Sequence, residues 1–362
     1  MMLAELLILL PLLIYCILVL SWRRSWLRAR PFAPQVGCVR RQFSLVITLH
    51  NEQENIEQLV VSLLRQTHRP SEIIFVCDHC TDSTEARLHR FVDDWKHAKV
   101  LVNRGKPGKK TAQRFGVATA THDIVAVADA DCQFSPAWSS EVSAFFGTHA
   151  PDLLIAPVVM KGDGSFMQHL FELDFLSIQL CTAGAALGGR PFMCNGANLV
   201  FRKSLYEVHD GKERFVSGDD MFLLESIKRS HGRIEYIKNA DTMTVTRVSR
   251  NFISFVRQHS RWLGKSRGYS DPELIIYAIV IFLANLVWPT FLLLAPGNTV
   301  ASAAFVGSFV LKFIVDYSLL RSGRKFWPVD VDFGSSLVLA LIYPFLMIII
   351  TITALIRGSR KW

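Results

Sequence analysis

Asp129 and Asp131 stand one residue apart at the end of an apolar run, Ile124-Val125-Ala126-Val127-Ala128. A buried strand that ends in this way delivers two carboxylates to the rim of a sheet. Hard divalent cations such as Mg²⁺ prefer carboxylate oxygens and keep open positions for water and phosphate, so an Asp-x-Asp edge can hold a diphosphate. The same tripeptide also suits two solvated turn aspartates, and the elements around it must decide between them.

Those elements alternate. Residues 43–49 read as a strand, 55–66 as a helix, 72–76 as a strand and 83–95 as a helix capped by Asp82 or Ser83. Residues 99–102 form the next strand, 109–120 the next helix, and 124–128 the strand that ends at the two aspartates. Such alternation implies parallel strands with right-handed crossovers and helices on both faces. Ligands of open sheets bind beyond the carboxyl ends of the strands. The polar clusters fall there: His50-Asn51-Glu52, Asp78-His79, Asn103-Arg104-Gly105-Lys106 and Asp129-Ala130-Asp131. No Gly-x-x-x-x-Gly-Lys-Ser/Thr loop and no Gly-x-Gly-x-x-Gly follows a strand, which argues against an NTPase or a dinucleotide dehydrogenase. Cys77-Asp78-His79-Cys80 has the spacing of a redox pair or half a zinc site. There is no second Cys-x-x-Cys, and the pair reads as small residues lining a strand end.

Composition sets the surroundings. Half of the 362 residues are hydrophobic, more than a soluble core of this size uses, so part of the chain belongs in lipid. The net charge of +9 gathers beside apolar segments, at Arg23, Arg24, Arg28 and Arg30 and again at Arg321, Arg324 and Lys325. That pattern is a positive-inside and headgroup signature, and no nucleic-acid motif accompanies it, so no nucleic-acid partner is expected. Seven irregularly spaced cysteines argue against a secreted disulfide framework.

Residues 1–20 are nearly all apolar and precede the basic cluster, as in a retained anchor whose basic end is cytoplasmic, with Trp22 and Trp26 suited to the interface. Residues 153–160 read as one strand and 165–187 as a long helix, either a core helix or an interfacial one. The glycine-rich stretch 188–198 either brings backbone close to a ligand or turns the chain. Ser217-Gly218-Asp219-Asp220 enters an amphipathic helix. Residues 247–269 interleave Arg250, Arg257, Arg261, Lys265 and Arg267 with aromatic and aliphatic side chains, as a helix on an anionic membrane surface does. Three apolar segments of spanning length follow, at 274–295, 301–320 and 335–356. Lys312 and Asp316 lie one turn apart in the middle one, either paired in the membrane or marking an interfacial segment. If all three span, the basic tail at 357–361 lies outside, against the charge rule, unless one segment is re-entrant or interfacial.

Taken in order, the motifs resemble those of the membrane-bound family 2 glycosyltransferases. They are Asn51-Glu52-x-Glu54-Asn55-Ile56, Asp78 with Thr81-Asp82-Ser83-Thr84, Gly105-Lys106 with Gly108-Lys109-Lys110, Asp129-Ala130-Asp131, Asn195-Gly196-Ala197-Asn198, Gly218-Asp219-Asp220 and Gln258-x-x-Arg261-Trp262. The resemblance implies an α/β fold of the GT-A type, Rossmann-like with a mostly parallel central sheet, flanked by N-terminal and C-terminal transmembrane helices. It divides the chain into an anchor (1–21), a basic linker (22–42), a catalytic domain (43–246), an interfacial segment (247–272) and a C-terminal membrane region (273–362).

By the same resemblance, Thr48, Glu52 and Asp78 would hold the base and ribose of a UDP- or GDP-linked sugar, supported by Lys106 or Lys109. Asp131 with Asp129 would hold Mg²⁺ or Mn²⁺ against the diphosphate, and Arg261 would help to neutralise it. Asp220 matches the catalytic base; because the motif here is Asp-Asp rather than Glu-Asp, Asp219 can exchange the role with it. Gln258, Trp262, Asn195 and Gly196 belong to the diphosphate and acceptor side. The family usually has an acidic residue where Cys77 stands and often Gly-Ser where His79-Cys80 stands. The implied activity is inverting, metal-dependent transfer to a lipid-linked or glycan acceptor at the cytoplasmic membrane face, with membrane lipids as partners. The alternative is a catalytically silent nucleotide-sugar-binding module in a polysaccharide assembly or export complex.

Overall fold

The computed structural model describes residues 2–92, 95–206 and 219–357, apart from the side chains of 2–6, 266, 267 and 357. Ser217, Gly218, the Arg267 side chain and the tail at 358–361 lie outside the described residues. The chain forms two compact units. It opens with α1 (Met2–Arg28) and continues through β1 (Ser44–Leu49), α2 (Ile56–Leu64), β2 (Glu72–Asp78), α3 (Thr84–Val92), β3 (Ala98–Asn103), α4 (Lys109–Thr119) and β4 (Ile124–Asp129). Next come β5 (Gln133–Phe134), α5 (Trp138–His149), β6 (Leu153–Ile155), β7 (Val158–Lys161), α6 (Phe166–Leu187), β8 (Leu199–Arg202) and α7, described as Asp219–Arg229. The remainder is β9 (Ile234–Tyr236), β10 (Thr244–Arg247), α8 (Phe252–Gly264), α9 (Pro272–Leu294), α10 (Thr299–Gly323) and α11 (Phe333–Arg357).

The α/β unit, residues 30–161 and 193–247, is built on a seven-stranded sheet in the order β3-β2-β1-β4-β8-β6-β9. β8 alone runs against its neighbours; the other strands are parallel. Every residue of β1 and β2 is buried, as expected of central parallel strands covered on both faces. α2 buries Ile56, Leu59, Val60 and Leu63, one face of a 3.6-residue repeat. α4 lies so close to the sheet that a Cβ at Gly116 would meet the Val46 and Val76 side chains at 2.5 and 2.9 Å. Glycine there lets the helix approach, and α4 begins at Lys109 and Lys110.

The segment 153–160 is two strands, not one. Pro157 cannot continue the ladder, and the chain passes from β6 in the large sheet to β7 in a second sheet of order β5-β10-β7. The Pro157 carbonyl accepts instead from the Asn198 side chain and the Thr244 backbone.

The helical unit comprises residues 1–29, 162–192 and 248–358, so α6 interrupts the span 43–246 that reads as one domain in the sequence. Among the described residues five helices, α1, α6, α9, α10 and α11, are long and apolar enough to cross a membrane. α6 is the most enclosed of them and packs against α1, α10 and α11. α1 runs past residue 21 to Arg28 because protein, not an interface, receives its tryptophans. Trp22 stacks on Phe192 and meets Tyr277, and Trp26 meets Phe326 and Trp327 and donates to the Ser322 carbonyl at 3.0 Å. The basic ends of α1 and α10 lie together, with Arg23 donating to the Ser318 carbonyl at 3.1 Å.

Candidate active site

β1 to β4 are adjacent and parallel, so the four polar strand ends share one edge of the sheet. There the loops after β1 and β2 are stitched to each other. Asn51, at φ +56°, accepts from the Thr81 backbone at 2.8 Å. The Glu52 backbone donates to Thr84 Oγ1 at 2.8 Å, and Gln53 donates to Asp82 at 3.2 Å. Asp82 loses ground to burial but gains more from the Thr84 and Gln53 hydrogen bonds, so its carboxyl titrates below the usual range.

Asp78, the last residue of β2, is buried and fully occupied. It accepts from the Asn103 side chain at 2.7 Å and the Gly108 backbone at 2.8 Å, and pairs with His79 at 3.0 Å. Gly108 has φ +142°, a conformation that favours glycine, and it caps α4. Asp78 therefore ties β2 and β3 to the start of the helix that presents Lys109. Thr48 is buried in β1 between Val76 and Asp129, and Lys106 is exposed in the loop after β3.

Lys109 is the centre of the cluster. Its ammonium pairs with Asp129 and lies within electrostatic reach of Asp131, Asp220 and Glu52. Burial opposes its charge, yet the surrounding carboxylates outweigh burial and raise its pKa. Asp131 accepts from Thr246 Oγ1 at 2.5 Å, and burial together with Asp129 raises its carboxyl above the ordinary range. Glu52 is raised by burial and by Asp131 and Asp129, against the 2.6 Å bond from Asn55.

The two acids of α7 differ. Asp219 pairs with Lys110 at 3.2 Å and is pushed up by burial. Asp220 turns to the glycine-rich loop, accepting from the Gly196 backbone at 3.1 Å and from Met221 at 2.9 Å. Asn195 folds that loop by accepting from Ala197 at 2.9 Å. Asn198 anchors it, bonding to Trp138, Pro157 and Thr242 while fully buried. So Glu52, Lys109, Asp129, Asp131 and Asp220 come together, with Gly196 on Asp220. Thr246 joins them without any signal in the sequence beyond a polar residue in a strand, whereas Asn103 and Lys110 stand in the polar cluster and the glycine-lysine motif read from the sequence.

Gln258, Arg261 and Trp262 belong to the helical unit. There Gln258 accepts from Ser249 at 2.9 Å, Trp262 lies against His259 and Phe175, and Arg261 is exposed. Among the described residues no group of three His, Cys, Asp or Glu side chains forms a ready-made metal cage. The Asp129–Asp131 edge nonetheless fits a hard cation. It offers oxygen donors only, already attracts the Lys109 ammonium, and matches the one or two carboxylates that Mg²⁺ uses when phosphates complete its shell.

A mostly parallel sheet with acidic strand ends and an antiparallel β8 beyond β4 defines a GT-A-type fold. Residues 44–209 match the family model described as Glycosyl transferase family 2, and the chain carries a family 2 glycosyltransferase domain. It is 30% identical over 195 residues to the uncharacterized glycosyltransferase YaiP of Escherichia coli, covering 51% of this chain and 46% of YaiP. It is 27% identical over 108 residues to glycosyltransferase AglE of Haloferax volcanii, covering 29% and 36%. Its matches thus span less than half the length of these relatives. The mannosyltransferase PcManGT of Pyrobaculum calidifontis, solved with GDP-Man and Mn²⁺, shares the fold with a TM-score of 0.62 at 17% identity, covering 94% of this chain and 98% of that one.

Proposed function

We propose that this protein is an inverting, metal-dependent glycosyltransferase that moves a sugar from a UDP- or GDP-linked donor to a lipid-linked or glycan acceptor at the cytoplasmic membrane face. The observation that carries the reading is the convergence of Glu52, Asp129, Asp131 and Asp220 on Lys109 at the strand ends of a family 2 domain. Asp129 and Asp131 would hold Mg²⁺ or Mn²⁺, which when bound neutralises charge on the diphosphate oxygens. Lys109 adds a fixed positive charge beside the same oxygens. Thr48 and Glu52 line the base and ribose, and Asp78 and Lys106 act by shaping and flanking the loop into α4.

Asp220 is the base. Gly196 and Met221 fix its two oxygens, whereas Asp219 is held in an ion pair with Lys110. It takes the acceptor hydroxyl proton as that oxygen attacks the anomeric carbon. The nucleoside diphosphate departs from the opposite face, and the configuration inverts. Gln258, Arg261 and Trp262 keep the diphosphate and acceptor roles that the family resemblance implies. Cytoplasmic orientation is supported by the shared basic end of α1 and α10, from which the chain continues to residue 30.

The test is release of nucleoside diphosphate by the full chain in lipid, across a panel of nucleotide sugars with Mg²⁺ or Mn²⁺ and a membrane lipid extract. Release with one donor, abolished by chelation, is expected. No release with any donor would overturn the reading in favour of a silent binding module.

A further inference from the structure

The turn Cys77-Asp78-His79-Cys80 enters the site above only through Asp78, yet it brings Cys80 back to Leu49, the residue that Cys77 faces in the sheet. Cys77 is fully buried in β2 opposite Leu49 of β1. Cys80 is half-buried, and its thiol donates to the Leu49 carbonyl at 3.5 Å. His79, at φ +51°, turns the chain back so that residue 80 returns over the strand pair. The neighbouring Cys77 draws the Cys80 thiol down to about 6, while Cys80 and burial push Cys77 up. The Asn51 backbone and His50 also favour the Cys80 thiolate, while burial and Asp82 oppose it. An accessible thiolate backed by a buried thiol two residues away is the arrangement of a reactive dithiol.

We propose that Cys77 and Cys80 form a thiol modification site that takes low-molecular-weight disulfides, with Cys80 attacking and Cys77 resolving. The Cys80 thiolate attacks one sulfur of the disulfide, forming a mixed disulfide and expelling one thiolate, which takes up the proton Cys80 had released. Cys77 then attacks the Cys80 sulfur, the internal disulfide forms, and the second thiolate leaves with the Cys77 proton. Two protein thiols lose two electrons and two protons, and one small disulfide becomes two small thiols.

The consequence rests on the donor-site reading. Asp78 lies between the two cysteines in the chain, and its bonds to Asn103 and Gly108 hold the loop that starts α4. Closing the bridge re-aims Asp78 and loosens Lys109, so oxidation weakens nucleotide binding.

The full chain in lipid is treated with oxidised glutathione, alkylated and digested, and UDP and GDP binding with Mg²⁺ is measured before and after. Wild type should lose two hydrogens on the peptide carrying Cys77 and Cys80 and bind its preferred nucleotide about tenfold more weakly, the loss of roughly one hydrogen bond, with recovery in dithiothreitol. Cys77→Ser should stop at a glutathione adduct on Cys80. Cys80→Ser, a substitution at a half-exposed position, should form neither product and become insensitive to oxidised glutathione. A pair that stays reduced while half-buried Cys38 is thiolated would overturn the site, as would equal nucleotide binding by reduced and bridged protein. If reduced protein binds neither nucleotide, the donor-site reading fails, and the bridge and the Cys77→Ser adduct alone decide the thiol site.

Discussion

Lys312 in the helical unit and Lys109 in the α/β unit each pair with a carboxylate, and their surroundings differ. In the helical unit, Lys312 of α10 binds Asp316 one turn on at 2.6 Å, and Asp316 also accepts from Tyr15 of α1 at 2.6 Å. The Lys312 ammonium lies 5.0 and 6.0 Å from the Tyr15 and Tyr343 rings. Asp174 of α6 is buried against His259 of α8 at 2.9 Å. Asp316 and Asp174 each have a basic partner, as a low-dielectric medium demands. In the α/β unit Lys109 stands against Asp129, Asp131, Asp220 and Glu52, a surplus of negative charge. A balanced cluster is part of the scaffold; an acid-rich one at strand ends is completed by a cation and what the cation carries.

The sharpest test of this contrast is Asp220→Asn, which should lower turnover by about 10³-fold and leave nucleotide binding intact, read by diphosphate release and titration calorimetry. Asp219→Asn should cost far less; an equal loss would return the base to either residue. Asp131→Ala should lose the metal-dependent part of nucleotide affinity, about hundredfold or ~3 kcal/mol, so that chelation no longer changes binding. Lys312→Met should destabilise the protein by about 3 kcal/mol by stranding Asp316, seen as a lower thermal midpoint in detergent, and adding Asp316→Leu should recover much of it. Lys109→Met should do the reverse, costing activity and little stability, since it removes one cation from a site that a metal can still fill.

The opposite edge of the sheet supplies the smallest effect. Glu72, at the start of β2, is held by Lys99 at 2.6 Å, Ser44 at 2.5 Å and the Thr121 backbone at 2.8 Å. Burial opposes its charge, but these bonds win and draw its carboxyl down to about 2 from the ordinary 4.5. A depressed carboxyl stabilises the fold above its unfolded value and loses that contribution as pH falls through the folded one. Stability on the order of 2 kcal/mol should therefore disappear between about pH 4.5 and 2, and Glu72→Gln should remove that acid dependence in thermal unfolding.

Much of the site was legible because its signals are local. An apolar run ending in Asp129-Ala130-Asp131 reads as a strand delivering carboxylates once helices alternate with β1 to β4, since that alternation implies parallel strands whose ends share an edge. Strand-helix alternation, the acidic edge and the apolar helices were thus determined by residue spacing alone. Packing decided the rest. Thr246 reaches Asp131 from 115 residues away, and Asp219 and Asp220 separate only because Lys110 faces one and Gly196 the other. α6 joins the helical unit because α1 receives it; a Cβ at Gly184 would lie 2.4 Å from the Trp22 carbonyl oxygen. Periodicity tells which face of an element is apolar, whereas the identity of the surface that covers it depends on contacts between residues far apart in the chain.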